Sequence, residues 1–139
     1  MMKFIWDAKY SLNLKTIDSQ HQKFFEIINR IYPLARQKNI NPQDILAVIT
    51  ELNQYAEKHL SYEEKCFQDY HYPDADSHLR AHHAFRQQIK EFFLLLSQPQ
   101  TNISALAEQI ADFSQNWLSA HILEVDHHYV SFFLTHDLN

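Results

Sequence analysis

The sequence has no glycine, one cysteine (Cys66) and four prolines in 139 residues. Without glycine, turns have to be made by Asn, Asp and Pro, the other residue types suited to tight backbone geometry. A single thiol leaves no intrachain disulfide to form. Apolar runs such as Phe92–Leu96 fall far short of the roughly 18 residues that span a bilayer. Met1 to Trp6 carry no apolar stretch of the length a secretory signal needs, so the expected location is cytoplasmic. Basic clusters are missing as well, and the formal net charge is −5. Nucleic acids and anionic membrane surfaces, which require a basic patch, are therefore not expected partners. The length suits one domain, 1–139, able to bury about two-thirds of its unfolded surface.

What is present is helical periodicity, with no sustained alternation of apolar and polar residues to argue for a sheet. The expected class is all-α, an antiparallel up-down-up-down four-helix bundle over 18–134, because the breaks between periodic segments are short. Residues 1–17, with Phe4, Ile5, Trp6, Tyr10, Leu12, Leu14 and Ile17, read as an extended arm packed on the bundle. A first helix from about Asp18 places His21, Phe24, Phe25, Ile28 and Ile31/Tyr32 on one stripe, and Pro33 should kink or end it. A second begins at Asn41 as cap, with Pro42 at the first position and Asp44 near the positive end of the dipole. Its stripe runs Ile45, Val48/Ile49, Leu52, Tyr55/Ala56, His59, Glu63, Phe67. After a turn at His71–Asp74, a third helix carries His78, His82, Phe85, Ile89 and Phe92/Phe93. A break over Ser97–Asn102 precedes a fourth, starting near Ile103.

Polar residues on these apolar stripes are the notable feature. Residues four apart on a helix share a face, with β-carbons roughly 5–6 Å apart, so His59/Glu63 and His78/His82 can each offer two donors to one inward position. His21 and the pair His121/Asp126 complete a set of five imidazoles and two carboxylates. A lone histidine on an apolar stripe is ordinarily a hydrogen-bonded core residue. Seven such groups without a metal would leave many buried donors, acceptors and charges unsatisfied, at several kcal/mol for each unpaired charge. Imidazole suits Fe, Zn and Cu, and bridging carboxylates are typical of paired Fe or Mn, which puts iron first and zinc second. Ferritin-like di-iron proteins use repeated Glu-x-x-His motifs; here Glu124/His127 is a single match with no second copy. His71, His83, His127, His128 and His136 fall outside the pattern and read as surface residues.

The fourth helix carries an irregularity. Its stripe of Leu106, Ile110, Phe113, Trp117 and His121 advances by three or four, but the next candidate, Asp126, is five residues on. Five residues of α-helix turn about 500°, leaving Asp126 roughly 140° from His121. The stripe then resumes as Asp126, Tyr129/Val130 and Phe133. A π-bulge or local break between Ile122 and Val125 is expected, a distortion frequent at functional sites.

The segments Trp6, Ile17-Asp18-Ser19-Gln20-His21-Gln22, His59-Leu60-Ser61-Tyr62-Glu63-Glu64, Tyr72-Pro73 leading to His78-x-x-x-His82-x-x-Phe85, and Trp117-x-x-x-His121-Ile122-x-x-x-Asp126-x-x-Tyr129 resemble the hemerythrins, specifically single-domain bacterial hemerythrins. The resemblance implies reversible dioxygen binding at a non-heme di-iron centre, rather than an enzyme. It implies two Fe ions bridged by Glu63, Asp126 and an oxo/hydroxo group, with His78, His82 and His121 on one iron and His21 and His59 on the other. Trp117, Leu118 and Ile122 would line the dioxygen pocket, with Phe24 or Phe25 beside them. Leu60 and Phe67 depart from the bulky aromatic and the methionine common at those places. The same ligand set would serve a di-iron enzyme or sensor acting on peroxide, nitric oxide or a related small oxidant, and that alternative stays open in the sequence.

Overall fold

The computed structural model describes residues 5–136; Phe4, expected in the arm, lies outside them. The long helices are α1 (Lys15–Ala35), α2 (Pro42–Asp69), α3 (Ala75–Leu96) and α4 (Ile103–Ala120). The chain continues from α4 through a π turn (His121–Val125) and a 3-10 turn (Asp126–Tyr129) into a short α5 (Val130–Thr135). Among the described residues there is no strand, and no helix is long and apolar enough to cross a membrane. The class is all-α, a four-helix bundle whose inward stripes merge into one apolar core.

The arm is shorter and less extended than expected. It contains a 3-10 turn at Ala8–Tyr10, and α1 starts at Lys15 instead of Asp18. The reason is local. Asn13 adopts the left-handed region at φ 58°, which reverses the chain before Leu14 without a glycine. Asp18 then caps backward: its carboxylate accepts the Leu12 backbone N–H at 2.8 Å and the Ser11 hydroxyl at 2.7 Å. Tyr10, Leu12 and Leu14 are buried on the bundle, and the Tyr10 hydroxyl lies 3.1 Å from Ser119 Oγ on α4. Pro33 sits inside α1, which ends two residues later at Ala35. In the last turn the missing N–H removes a bond only where the helix is already ending.

The start of α2 follows the sequence reading, with Asn41 Oδ1 accepting the Gln43 N–H at 3.0 Å and Pro42 in the first turn. At its end a left-handed residue is again supplied without glycine. His71, at φ 55°, takes the position where glycine is usual, and the Tyr72 N–H reaches back to Phe67 O at 2.9 Å, the long bond of a Schellman closure. That closure aims Tyr72 into the core beside Phe67, ring centroids 5.2 Å apart, and sets the direction of α3. Asn102 caps α4 through Ala105 N–H at 3.0 Å. Between helices, the Tyr32 hydroxyl on α1 donates to Gln115 and Asp112 on α4, and Arg30 pairs with Glu51 across α1 and α2 at 2.6 Å.

The Asp18 carboxylate accepts two bonds that hold the arm, so Asp18→Ala is expected to destabilise the fold by about 1–3 kcal/mol, the cost of leaving such donors unpaired. Chemical denaturation measures it. An unchanged unfolding midpoint would show that the arm is held by its apolar side chains alone.

Candidate metal centre

Toward one end of the bundle, near the starts of α1 and α3 and the ends of α2 and α4, histidines turn inward. His21 comes from α1, His59 from α2, His78 and His82 from α3, and His121 from the π turn that follows α4; Glu63 on α2 and Asp126 in the 3-10 turn join them. All seven are buried, His21, His82, Glu63 and Asp126 completely. Their ligating atoms fall into two groups, Glu63/His78/His82/His121 and His21/His59/Glu63/Asp126, and within each group these atoms lie within 4.8 Å of one another. Glu63 is common to both groups. Asp126 also spans them, with Oδ1 2.9 Å from the Nε2 atoms of His78 and His121 and Oδ2 3.1 Å from His21 Nε2.

The π turn is what brings Asp126 here. Its backbone N–H bonds to His121 O, five residues back, as well as to Ile122 O. In an α-helix residues this far apart diverge by about 140°; the wider turn absorbs one residue and returns the carboxylate to the face of His121. The 3-10 turn that follows eclipses residues three apart, stacking Tyr129 over Asp126. The distortion thus occupies the interval that the register shift in the sequence pointed to.

The electrostatics turn on which nitrogen of each ring carries its proton. His82 Nδ1 is 2.8 Å from Glu64 Oε2, a carboxylate held by Arg86 at 2.8 and 3.1 Å, so the ring donates outward. His59 Nδ1 is 2.5 Å from Gln20 Oε1 and donates outward in the same way. A neutral ring that donates outward turns its Nε2 lone pair inward, and what these Nε2 atoms face is another acceptor: Glu63 Oε1, at 3.1 Å from His59 and 3.4 Å from His82. His78 and His121 bring their Nε2 atoms within 3.1 Å of each other, which prevents both from being protonated there.

Burial lowers the pKa of the His21 imidazole, against the opposing pull of Asp126. Burial and the neighbouring Asp126 push the Glu63 carboxyl upward, but the charge and hydrogen bonds of His59 and His82, when those rings carry a proton toward it, outweigh them and the net shift is downward. For Asp126 the penalty of burial is likewise overcome by His121, His21 and His78, leaving it well below the usual range. Among the described residues, apart from Ser114 Oγ, the buried side-chain polar atoms without a hydrogen-bond partner all belong to this cluster: both nitrogens of His21, Nε2 of His59 and His82, Glu63 Oε1 and both oxygens of Asp126. Acceptors facing acceptors around two carboxylates are what a bound cation relieves, and imidazole with carboxylate is a donor set that suits Fe, Zn and Cu.

Three residues around the cluster had no role assigned from sequence. Tyr129, fully buried, donates its hydroxyl to Glu63 Oε2 at 2.5 Å, and burial together with Asp126 and Glu63 holds its phenol well above the usual pKa. Gln20 and Glu64 each sit next in sequence to a member of the cluster, His21 and Glu63; that adjacency, and their place in the segments that resemble the hemerythrins, are the signals that could have found them. Leu118 and Ile122 are buried, and Trp117, half-buried, stacks on His121 at 4.3 Å. Phe24 meets the edge of His59 at 5.7 Å, whereas Phe25 packs on Trp6 and Tyr10 of the arm. Phe67 lies against His78 and His82. His71, His127, His128 and His136 are exposed, as are His83 and Glu124, so the lone Glu-x-x-His match points away from the cluster.

Comparison with known proteins agrees with this geometry. The profile described as "Hemerythrin HHE cation binding domain" matches residues 12–133. A Clostridium acetobutylicum protein named bacteriohemerythrin is 30% identical over 129 residues, covering 91% of this chain and 98% of the relative. Bacteriohemerythrins of Stenotrophomonas maltophilia (23% identical, 93% of this chain and 80% of the relative) and Campylobacter jejuni (24%, 88% and 90%) are also similar. The chain belongs to the hemerythrin family.

The pKa directions fix a sign for acid stability. The His21 imidazole binds its proton more weakly folded than unfolded, and so do Glu63 and Asp126. The unfolded chain thus takes up protons first as pH falls. For metal-free protein, stability should decline below about pH 6.5 as unfolded His21 titrates and more steeply below about pH 4.3 as the carboxylates do. Melting temperatures between pH 8 and 4 test this, and a flat profile would contradict a neutral His21 beside ionised Glu63 and Asp126.

Proposed function

We propose that this chain binds dioxygen reversibly at a pair of iron ions, with His78, His82 and His121 on one, His21 and His59 on the other, and Glu63 and Asp126 bridging them. The observation that carries it is the convergence of His59 and His82 Nε2 on Glu63 Oε1 at 3.1 and 3.4 Å, acceptors around an acceptor when the rings are neutral. Two donor groups that share Glu63 support two ions, and the names of the relatives support iron and oxygen. Bound there, a pair of ferrous ions would supply two electrons to dioxygen and recover them on its release.

The protein's part is to keep that exchange reversible. With Glu63 and Asp126 both bridging, the His21/His59 position would have one protein donor fewer than its neighbour, which would be the place for a small ligand. Leu118 and Ile122, buried beside His121, exclude water from this region, and Trp117, Phe24 and Phe67 cover the rings of His121, His59 and His78. Tyr129 fixes the Glu63 carboxylate by donating to Oε2, so the bridge keeps its orientation. Five imidazoles against two carboxylates also put less anionic charge on the metals than the carboxylate-rich sites of di-iron oxidases, which favours binding over oxidative turnover.

Protein loaded anaerobically with ferrous iron should contain two irons per chain by elemental analysis and show a visible absorption that appears in air and disappears on deoxygenation. Steady consumption of peroxide or nitric oxide without that reversible band would replace this reading with an enzymatic one. Glu63→Ala should lose at least one iron, since a bridge serves both; retention of two irons with normal oxygen binding would remove Glu63 from the ligand set. Leu118→Asn should accelerate autoxidation while leaving iron content intact, because it brings a polar group and water to a dry wall. An unchanged autoxidation rate would show that Leu118 does not guard the site.

A further inference from the structure

The cluster is not symmetric in what stands behind it. On the outer side of His82, Glu64 Oε2 lies 2.8 Å from Nδ1. That carboxylate is fixed by Arg86, whose Nη1 donates to Oε2 at 2.8 Å and Nη2 to Oε1 at 3.1 Å. Arg86 is in turn clamped by Glu57, through Nε at 3.0 Å and Nη2 at 2.9 Å. The chain of contacts therefore runs from the bundle surface, where the Glu57 side chain is 52% exposed, through half-buried Arg86 and Glu64 to His82, which is fully buried. The other group has nothing equivalent. His59 is backed by the neutral amide of Gln20, and the outer nitrogen of His21 is buried with no partner.

From this asymmetry we infer that Glu64, held by the Arg86–Glu57 clamp, is a positioning residue that makes the His78/His82/His121 position the tighter of two unequal metal positions. The inference rests on the proposed metal centre. A ring whose outer N–H is bound to a carboxylate is locked in the tautomer with its inner lone pair free, and is a stronger donor than one bound to an amide. A carboxylate restrained by two guanidinium bonds keeps that orientation without being drawn away to solvent. Arg86 also compensates the charge of Glu64, so the carboxylate can stand beside the centre without adding a free buried anion to Glu63 and Asp126.

The experiment is a titration of metal-free protein with Co2+ against a competing chelator, followed by the visible ligand-field bands, which report each position without oxygen chemistry. Wild type is expected to fill in two distinguishable steps. Glu64→Ala should weaken the tighter step by about 10- to 100-fold, the usual effect of removing a partner behind a metal-bound histidine, and leave the weaker step in place. Glu64→Gln keeps an acceptor but removes the charge and should lie between. Arg86→Gln should move the same step in the same direction. The reciprocal change, Gln20→Glu, puts a carboxylate behind His59 and should strengthen the weaker step, an outcome that general loss of structure cannot produce. Wild type taking up two ions with both affinities unmoved by Glu64→Ala and by Gln20→Glu overturns this inference alone. Wild type taking up fewer than two overturns the proposed metal centre with it.

Discussion

The structure depends on one electrostatic conflict at its middle. Two ionised carboxylates, Glu63 and Asp126, are completely buried among five imidazoles, and the outward hydrogen bonds of His59 and His82 turn acceptors toward them. Burying charge without compensation costs several kcal/mol per group, a cost that a bound cation would relieve. Everything around it serves to prevent relaxation. α1, α2 and α3 each hold at least one donor and the two turns after α4 hold the others, the apolar core surrounds them, and Tyr129 pins an oxygen of Glu63. A cluster this constrained is preorganised, and metal affinity is then obtained without reorganising the bundle.

The partners behind the imidazoles set the electronic character of the centre as much as the donors do. His82 is tied to a charged network that reaches the surface, His59 to an amide. The same helices that deliver the donors deliver these partners, since Gln20 precedes His21 on α1 and Glu64 follows Glu63 on α2. Neighbours in sequence point about 100° apart on a helix, so one residue of each pair faces its own centre and the next faces the adjacent helix, where the back of another histidine lies.

This geometry also explains what could be read from the sequence. Helical class and the start of α2 were legible because each rests on spacing within one helix or on a cap within one turn, and the seven polar side chains stood out because each lies on an apolar stripe and together they match a family's pattern. The π turn was legible too, as a five-residue step in a stripe that otherwise advances by three or four. The contacts Tyr129–Glu63, Glu64–His82 and Gln20–His59 were not, because they join different helices and depend on how those helices are rotated against one another. The start of α1 was misplaced for a different reason. The stripe that begins at His21 puts the start near Asp18, yet Asp18 lies inside the first turn and caps the arm that precedes it, which the left-handed Asn13 turns back toward it.

The π turn reaches beyond the carboxylate it delivers. Each residue of helix corresponds to about 100° of rotation, so the extra residue in His121–Val125 resets the phase of everything downstream. Tyr129 and Phe133 point into the core, and Phe133 lies flat against Phe67 at 6.0 Å, only in that reset phase. The end of the chain is keyed to the donor cluster like a second row of teeth on one wheel. Straightening the turn to α geometry at the same chain length would swing Asp126 away from His121 and, in the same motion, carry Tyr129 off Glu63 and Phe133 out of its seat, so that the wide turn is held from both sides.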